Sequence, residues 1–175
     1  MFFLQMSGYP GSGKSTLAKA IAARTGAVIV DHDVVKSALL NAMASRVPDD
    51  AGGISYEIDW ALVEFQLSLG RSVIMDSPCL YSIQLEKGMM LAERYRVRYK
   101  YVECFLGDNQ IRDHRLKTRE RKISQVAELP AELKNRVLTP EQSKSIRPCE
   151  ARYVIVDTEQ PLESYIDEVE AYLKE

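Results

Sequence analysis

Five short runs of consecutive apolar, β-prone residues punctuate the chain: "FFLQM" (2–6), "AVIVD" (27–31), "SVIMD" (72–76), "YKYVECFL" (99–106) and "YVIVD" (153–157). None alternates apolar with polar positions, as a strand with one wet face does. Continuous apolarity belongs to parallel strands covered on both sides. Three of the five finish on aspartate. That places carboxylates at strand C-termini, the edge at which open α/β sheets take ligands.

Helical periods fill the gaps. Leu17, Ala20 and Ile21 share one face of a helix that Gly26 closes. Ile54, Ile58, Ala61, Leu62, Phe65 and Leu69 make a longer stripe, stopped by Gly70 and expected to face the core. Thr139-Pro140-Glu141-Gln142 has a capping-box spacing with proline at the first helical position. Pro161 opens a last helix, with Leu162, Tyr165, Ile166, Val169, Tyr172 and Leu173 inward. "VPDDAGG" (47–53) divides the stretch between the second and third strands into two helices, a natural mobile flap over 34–70. Strands alternating with helices predict a doubly wound α/β domain.

At 175 residues the chain is expected to form one domain over 1–175. No run approaches the ~20 apolar residues of a membrane span, and "MFFLQMSG" lacks a basic leader region and a cleavage site. Cys79, Cys104 and Cys149 are odd in number and far apart, fitting neither a zinc site nor a disulfide framework. The expected setting is the reducing cytoplasm. A net charge of -2 argues against a protein that grips a long nucleic-acid backbone.

Gly8-Tyr9-Pro10-Gly11-Ser12-Gly13-Lys14-Ser15, followed by Thr16, matches G-x-x-x-x-G-K-[ST] in full. A predicted strand precedes it and an amphipathic helix follows, the context the motif requires. Glycines let the backbone wrap an anion, and successive N–H groups with the helix N-terminus hold it. Lys14 carries a compact charge to the β- and γ-phosphates, and the Ser15 hydroxyl is a hard oxygen suited to Mg²⁺. The predicted ligand is ATP with Mg²⁺.

Three features point from nucleotide binding toward phosphoryl transfer. The chain is small, which leaves little room for a motor's added machinery. "VIVDHDVVKSAL" (28–39) sets Asp31 and Asp33 at the end of the second strand, with Lys36 one turn on. "IRDHRLKTRERK" (111–122) reads as an arginine-rich helical segment, part of a closing lid over about 109–125. Asp33 is the candidate base for an acceptor hydroxyl and Asp31 its rival; either is also suited to cap the next helix. Asp76, closing "RSVIMD", has the form of a metal-supporting acid, with capping of the next helix as the competing role. Arg112, Arg115, Arg119 and Arg121 are suited to stabilise charge on a transferring phosphoryl group; a mixed-charge helix is otherwise a solvated face.

"GYPGSGKST" followed by "DHDVVKS" resembles the polynucleotide-kinase and zeta-toxin branch of small P-loop kinases, with gluconate, shikimate and adenylate kinases more distant. The resemblance implies a five-stranded parallel sheet in strand order 2-3-1-4-5, helices on both faces and a mobile lid. It implies that Asp33 takes the acceptor's proton and that the position holding an acceptor phosphate falls on Lys36. There the polynucleotide kinases have arginine, and lysine lacks its bidentate grip. The family's lid arginine falls on Arg119, with Arg115 and Arg121 as alternatives.

The leading expectation is an ATP-dependent phosphotransferase acting on a hydroxyl of a small molecule. A 5′-hydroxyl polynucleotide kinase and a non-catalytic ATP-binding switch are the other readings. "NKxD" is missing after the fourth strand, which disfavours a GTPase. His32 and His114 read as exposed, Cys79, Cys104 and Trp60 as packing residues, and the basic run 94–100 as a solvated connection.

Overall fold

The computed structural model describes residues 1–43 and 46–175; residues 44 and 45, within the expected flap, lie outside the described part. Strands β1 (Phe2–Ser7), β2 (Val28–Asp31), β3 (Val73–Asp76), β4 (Arg98–Phe105) and β5 (Val154–Asp157) form one five-stranded sheet in the order β2-β3-β1-β4-β5. Every neighbouring pair is parallel. This is the predicted order. In the register, Gln5 of β1 pairs with Met75 and Tyr101, and Asp31 lies opposite Asp76. The ends of β2 and β3 are therefore flush, and their carboxylates share one edge.

The helices are α1 (Lys14–Thr25), α2 (His32–Met43), α3 (Ala51–Ser68), α4 (Ser82–Arg94), α5 (Asn109–Thr118) and α6 (Ile166–Lys174). Two apolar layers flank the sheet. Leu4, Met6, Leu17, Ile21 and Val169 belong to one; Phe3, Trp60, Val63, Leu67 and Leu91 belong to the other. Successive apolar residues of β1 thus enter opposite layers, and the strand is buried throughout. Each fully buried large side chain contributes about 1.5–3 kcal/mol of transfer free energy. Gly26 adopts φ 72° and its N–H closes α1 on the Ala22 carbonyl at 2.8 Å.

Four local expectations are corrected. The buried face of α3 carries Ser55, Asp59, Trp60, Val63 and Leu67, whereas Ile54, Ile58, Leu62, Phe65 and Leu69 stand exposed. Ser55 donates to the Ala51 carbonyl at 2.7 Å and Asp59 meets His32, so polar residues with local partners occupy the inward face. The capping box at Thr139 forms, but over a three-residue 3₁₀ turn, Pro140–Gln142, and not a helix. Pro161 likewise precedes a 3₁₀ turn, Leu162–Ser164, before α6 buries Ile166, Val169, Tyr172 and Leu173. Finally, the arginine-rich segment is helical only to Thr118. Arg119 and Arg121 lie in the following loop.

Among the described residues, no helix is long and apolar enough to cross a membrane.

Candidate active site

The phosphate loop runs from β1 into α1 and owes its shape to backbone conformations closed to other residues. Gly8 has φ 130°, and a Cβ there would stand 2.3 Å from the Cys104 carbonyl oxygen. Gly13, φ 89°, caps α1. A second contact fixes the loop from β5's side: the Thr158 hydroxyl donates to the Ser12 carbonyl at 2.8 Å. Lys14 Nζ donates to the carbonyls of Gly8 at 2.9 Å and Tyr9 at 3.0 Å, which folds the ammonium over the hollow. Burial pushes the Lys14 ammonium down from its usual range, against the pull of Asp76, Cys104 and Asp33.

Beside the loop lies a cavity of about 1450 Å³. Pro10, Gly11, Gly13, Lys14, Ser15 and Thr16 line it from the loop. The other three positions of the motif act from behind. Gly8 packs on β4, Ser12 is buried, and the Tyr9 hydroxyl accepts from the Lys144 N–H at 3.0 Å. The guanidinium of Arg112 lies 4.8 Å from the Tyr9 ring centroid, a cation–π contact that braces the loop. Arg112 is thus buried behind the site and does not line the cavity.

The two aspartates at the start of α2 take different roles. Asp31 Oδ1 accepts from the N–H groups of Asp33 at 2.9 Å and Val34 at 3.2 Å, so Asp31 caps α2. Asp33 lines the cavity, as does Lys36. The Asp33 carboxylate accepts from Ser124 Oγ at 3.1 Å and from Gln125 Nε2 at 2.7 Å. Ser124 also bonds Ser37 Oγ at 2.9 Å. Neither Ser124 nor Gln125 carries a sequence signal; the fold alone brings the loop after α5 onto α2.

Asp76 ends β3 and is buried on the cavity wall. Burial pushes its carboxyl above the usual carboxylate range, while Lys14 and the Ser15 hydroxyl oppose the shift. The capping alternative for Asp76 fails, because α4 begins only at Ser82 after Tyr81. A buried carboxylate beside a serine hydroxyl fits Mg²⁺, which binds through one or two protein oxygens and completes its shell with phosphates and water. Among the described residues, no group of three or more His, Cys, Asp or Glu side chains is placed to hold a metal ion.

The arginines differ in placement. Arg115 donates to the Thr158 carbonyl at 2.8 Å, and Arg119 donates to the Val126 carbonyl at 3.1 Å; both line the cavity. Arg119 Nε has no partner. Burial pushes the Arg119 guanidinium down, opposed by Asp33. Arg121, by contrast, is exposed and donates to the Gln125 carbonyl at 3.2 Å.

His32 corrects the expectation of an exposed loop histidine. It is the buried first residue of α2, with Nδ1 2.6 Å from Asp59 Oδ2 and its ring stacked on Tyr56 at 4.0 Å. Burial pushes the Asp59 carboxyl up, with His32 opposing. The pair is separated by 27 positions in sequence, and no local spacing announces it. His114 is exposed, as expected, while Cys79, Cys104 and Trp60 are buried. Burial raises both thiols to about 12, which leaves them unreactive.

A parallel sheet in this order, with a glycine-rich phosphate loop after its central strand and carboxylates on the same edge, defines the P-loop kinase fold. The chain belongs to the AAA domain family, which matches residues 4–139. Among solved structures it is similar to a provisionally described kinase of Chloroflexus aurantiacus, at TM-score 0.75 and 20% identity, covering 98% of this chain and 95% of that one. It is also similar to a gluconokinase of Sinorhizobium meliloti, at TM-score 0.60 and 23% identity, with 98% and 90% covered. A third likeness is to the Mycobacterium tuberculosis APS kinase in complex with AMPPNP and APS, at TM-score 0.64 and 13% identity, with 99% and 97% covered. At these identities the likeness is one of fold. No curated protein matches the chain.

Proposed function

We propose that the protein is an ATP:alcohol phosphotransferase that moves the γ-phosphoryl group of MgATP to a hydroxyl of a small molecule. One observation carries the reading: Lys14, Ser15, Asp33, Asp76 and Arg119 line a single cavity. The solved structures of like fold, a gluconokinase and an APS kinase among them, support a small acceptor. On "DHDVVKS" we place the chain with the polynucleotide-kinase and zeta-toxin branch, in a cytoplasmic setting where ATP is at hand.

In this reading the phosphate loop and Lys14 hold the β- and γ-phosphates. Ser15 and Asp76 hold Mg²⁺, which supplies charge neutralisation of the phosphate oxygens. Asp33 accepts the proton of the acceptor hydroxyl as its oxygen bonds the γ-phosphorus, the bond to the β–γ bridging oxygen breaks and ADP leaves. Lys36, which lines the same cavity as Asp33, holds a polar part of the acceptor. Arg119 neutralises charge on the transferring group and Arg115 flanks the nucleotide.

The test is ADP formation by the pure protein against sugars, nucleosides, aryl alcohols and 5′-hydroxyl oligonucleotides. The reading expects acceptor-dependent turnover that Asp33→Asn lowers by about 10²–10⁴-fold, with MgATP affinity within about threefold of wild type. Undiminished turnover in Asp33→Asn removes Asp33 as the base. Turnover confined to oligonucleotides, and falling steeply with salt, replaces the small acceptor by a nucleic-acid end.

A further inference from the structure

Resting on the kinase reading, we propose that the acceptor alcohol is carried on an uncharged aromatic or heteroaromatic ring, held on the wall that α3 and the segment 77–83 build. Small-ligand pockets typically measure about 300–1,000 Å³. The cavity, at about 1450 Å³, has room for a nucleotide and a second molecule. On the side of α3 and the start of α4 its lining is Tyr56, Trp60, Leu80, Tyr81 and Ile83. Tyr81 and Ile83 are each 65% exposed, large apolar groups at a cavity mouth that a bound ring would cover.

Several polar atoms of that wall are already engaged by the protein. Asp50 Oδ1 accepts from the Gly53 N–H at 3.0 Å, and Gln84 Oε1 from the Leu80 N–H at 3.3 Å. Glu57 receives both its bonds from Lys87 at 3.0 Å, and the Tyr56 hydroxyl donates to the Pro78 carbonyl at 3.3 Å. A polyol seated against these groups gives up water and finds fewer free partners in return. Beside these engaged groups, Tyr81 and Ile83 offer exposed ring and methyl surface. Charge on this wall is mixed: Lys36 and Lys87 stand with Asp50 and Glu57, and Lys87 is paired with Glu57 at 3.0 Å.

The wall is also fixed in advance. His32 stacks on Tyr56 at 4.0 Å with 18° between the ring planes, and buried Asp59 holds His32 Nδ1 at 2.6 Å. Trp60 packs against Phe3 with ring centroids 6.2 Å apart. A pre-set ring surface loses little conformational freedom on binding.

Trp60 is the chain's one tryptophan, so its fluorescence reports this wall alone. The experiment titrates the full chain with 2-phenylethanol, uridine, glucose and gluconate, and separately with MgATP. The expected result is a saturable change with the two ring alcohols and none with glucose or gluconate at tenfold higher concentration. Tyr81→Ala and Ile83→Ala, both at exposed positions, should raise the ring-alcohol Kd about tenfold. Saturable binding of glucose or gluconate without the ring alcohols, or no response to any of the four, overturns the proposal. MgATP binding in that case leaves the kinase reading standing; its failure removes both.

Discussion

The side-chain amide of Gln125 donates to the Asp33 carboxylate at 2.7 Å, joining the loop after α5 to the first turn of α2. That loop begins with Arg119, so the element carrying the guanidinium also holds the candidate base. A hydrogen bond to a charged group contributes about 1.5–3 kcal/mol. Gln125→Ala is expected to lower kcat about tenfold, with the KM for MgATP within about twofold, because the bond orients Asp33 and leaves the phosphate loop untouched. Steady-state kinetics decide it: an unchanged kcat separates the loop from the base.

Arg119 and Arg121 are two residues apart, yet only Arg119 lines the cavity. Lysine keeps the charge but not the planar fork. Arg119→Lys should therefore cost about 10–100-fold in kcat, whereas Arg121→Ala should cost less than about threefold, as an exposed side chain bonded to its own loop. The reverse order assigns the lid arginine to Arg121.

Asp76 carries a stability consequence with a definite sign. Its carboxyl is raised by burial in the folded protein, so folding favours the protonated form. Its stabilising contribution is full below the unfolded carboxylate pKa, about 3.8–4, and is lost as pH rises through the folded value. Above the unfolded carboxylate range the nucleotide-free protein bears the cost of keeping the Asp76 carboxyl buried. Asp76→Asn should raise the Tm of nucleotide-free protein at pH 7, by ~2–4 °C for each ~1 kcal/mol on a chain of this size. The gain should vanish near pH 4, and Mg²⁺-dependent turnover should fall. Scanning calorimetry at both pH values checks the sign; an equal Tm difference at the two contradicts it.

The sheet was legible because its strands are apolar on both faces, and the phosphate loop because strand, glycines, Lys14 and helix fall in one order. Asp31 and Asp33 were legible as a pair but not as individuals, since only three dimensions distinguish the cap of α2 from the group in the cavity. The buried face of α3 was hidden for a physical reason. Apolar counting selects the row Ile54, Ile58, Leu62, Phe65 and Leu69, while the inward row includes Ser55 and Asp59, which satisfy their polarity on Ala51 and His32. Arg112 shares its sequence pattern with the lid arginines, and its inward turn onto Tyr9 leaves no local trace.

The face of α3 makes its own prediction. Leu62→Ser and Phe65→Ser should change stability by no more than about 0.5 kcal/mol, as surface substitutions do. Leu67→Ala, at a fully buried position, should cost about 2–5 kcal/mol. Urea unfolding of the three variants measures both; large losses at Leu62 and Phe65 would restore the row that the sequence suggested.

The most direct test of the central claim is isothermal calorimetry of the pure protein with MgATP. The account predicts saturable binding of one nucleotide per chain. It predicts at least a tenfold loss in Lys14→Ala, the equivalent of about 1.4 kcal/mol or more, while Asp33→Asn keeps nearly the wild-type affinity. Absence of any MgATP uptake by the wild-type protein, or uptake indifferent to Lys14, would contradict it.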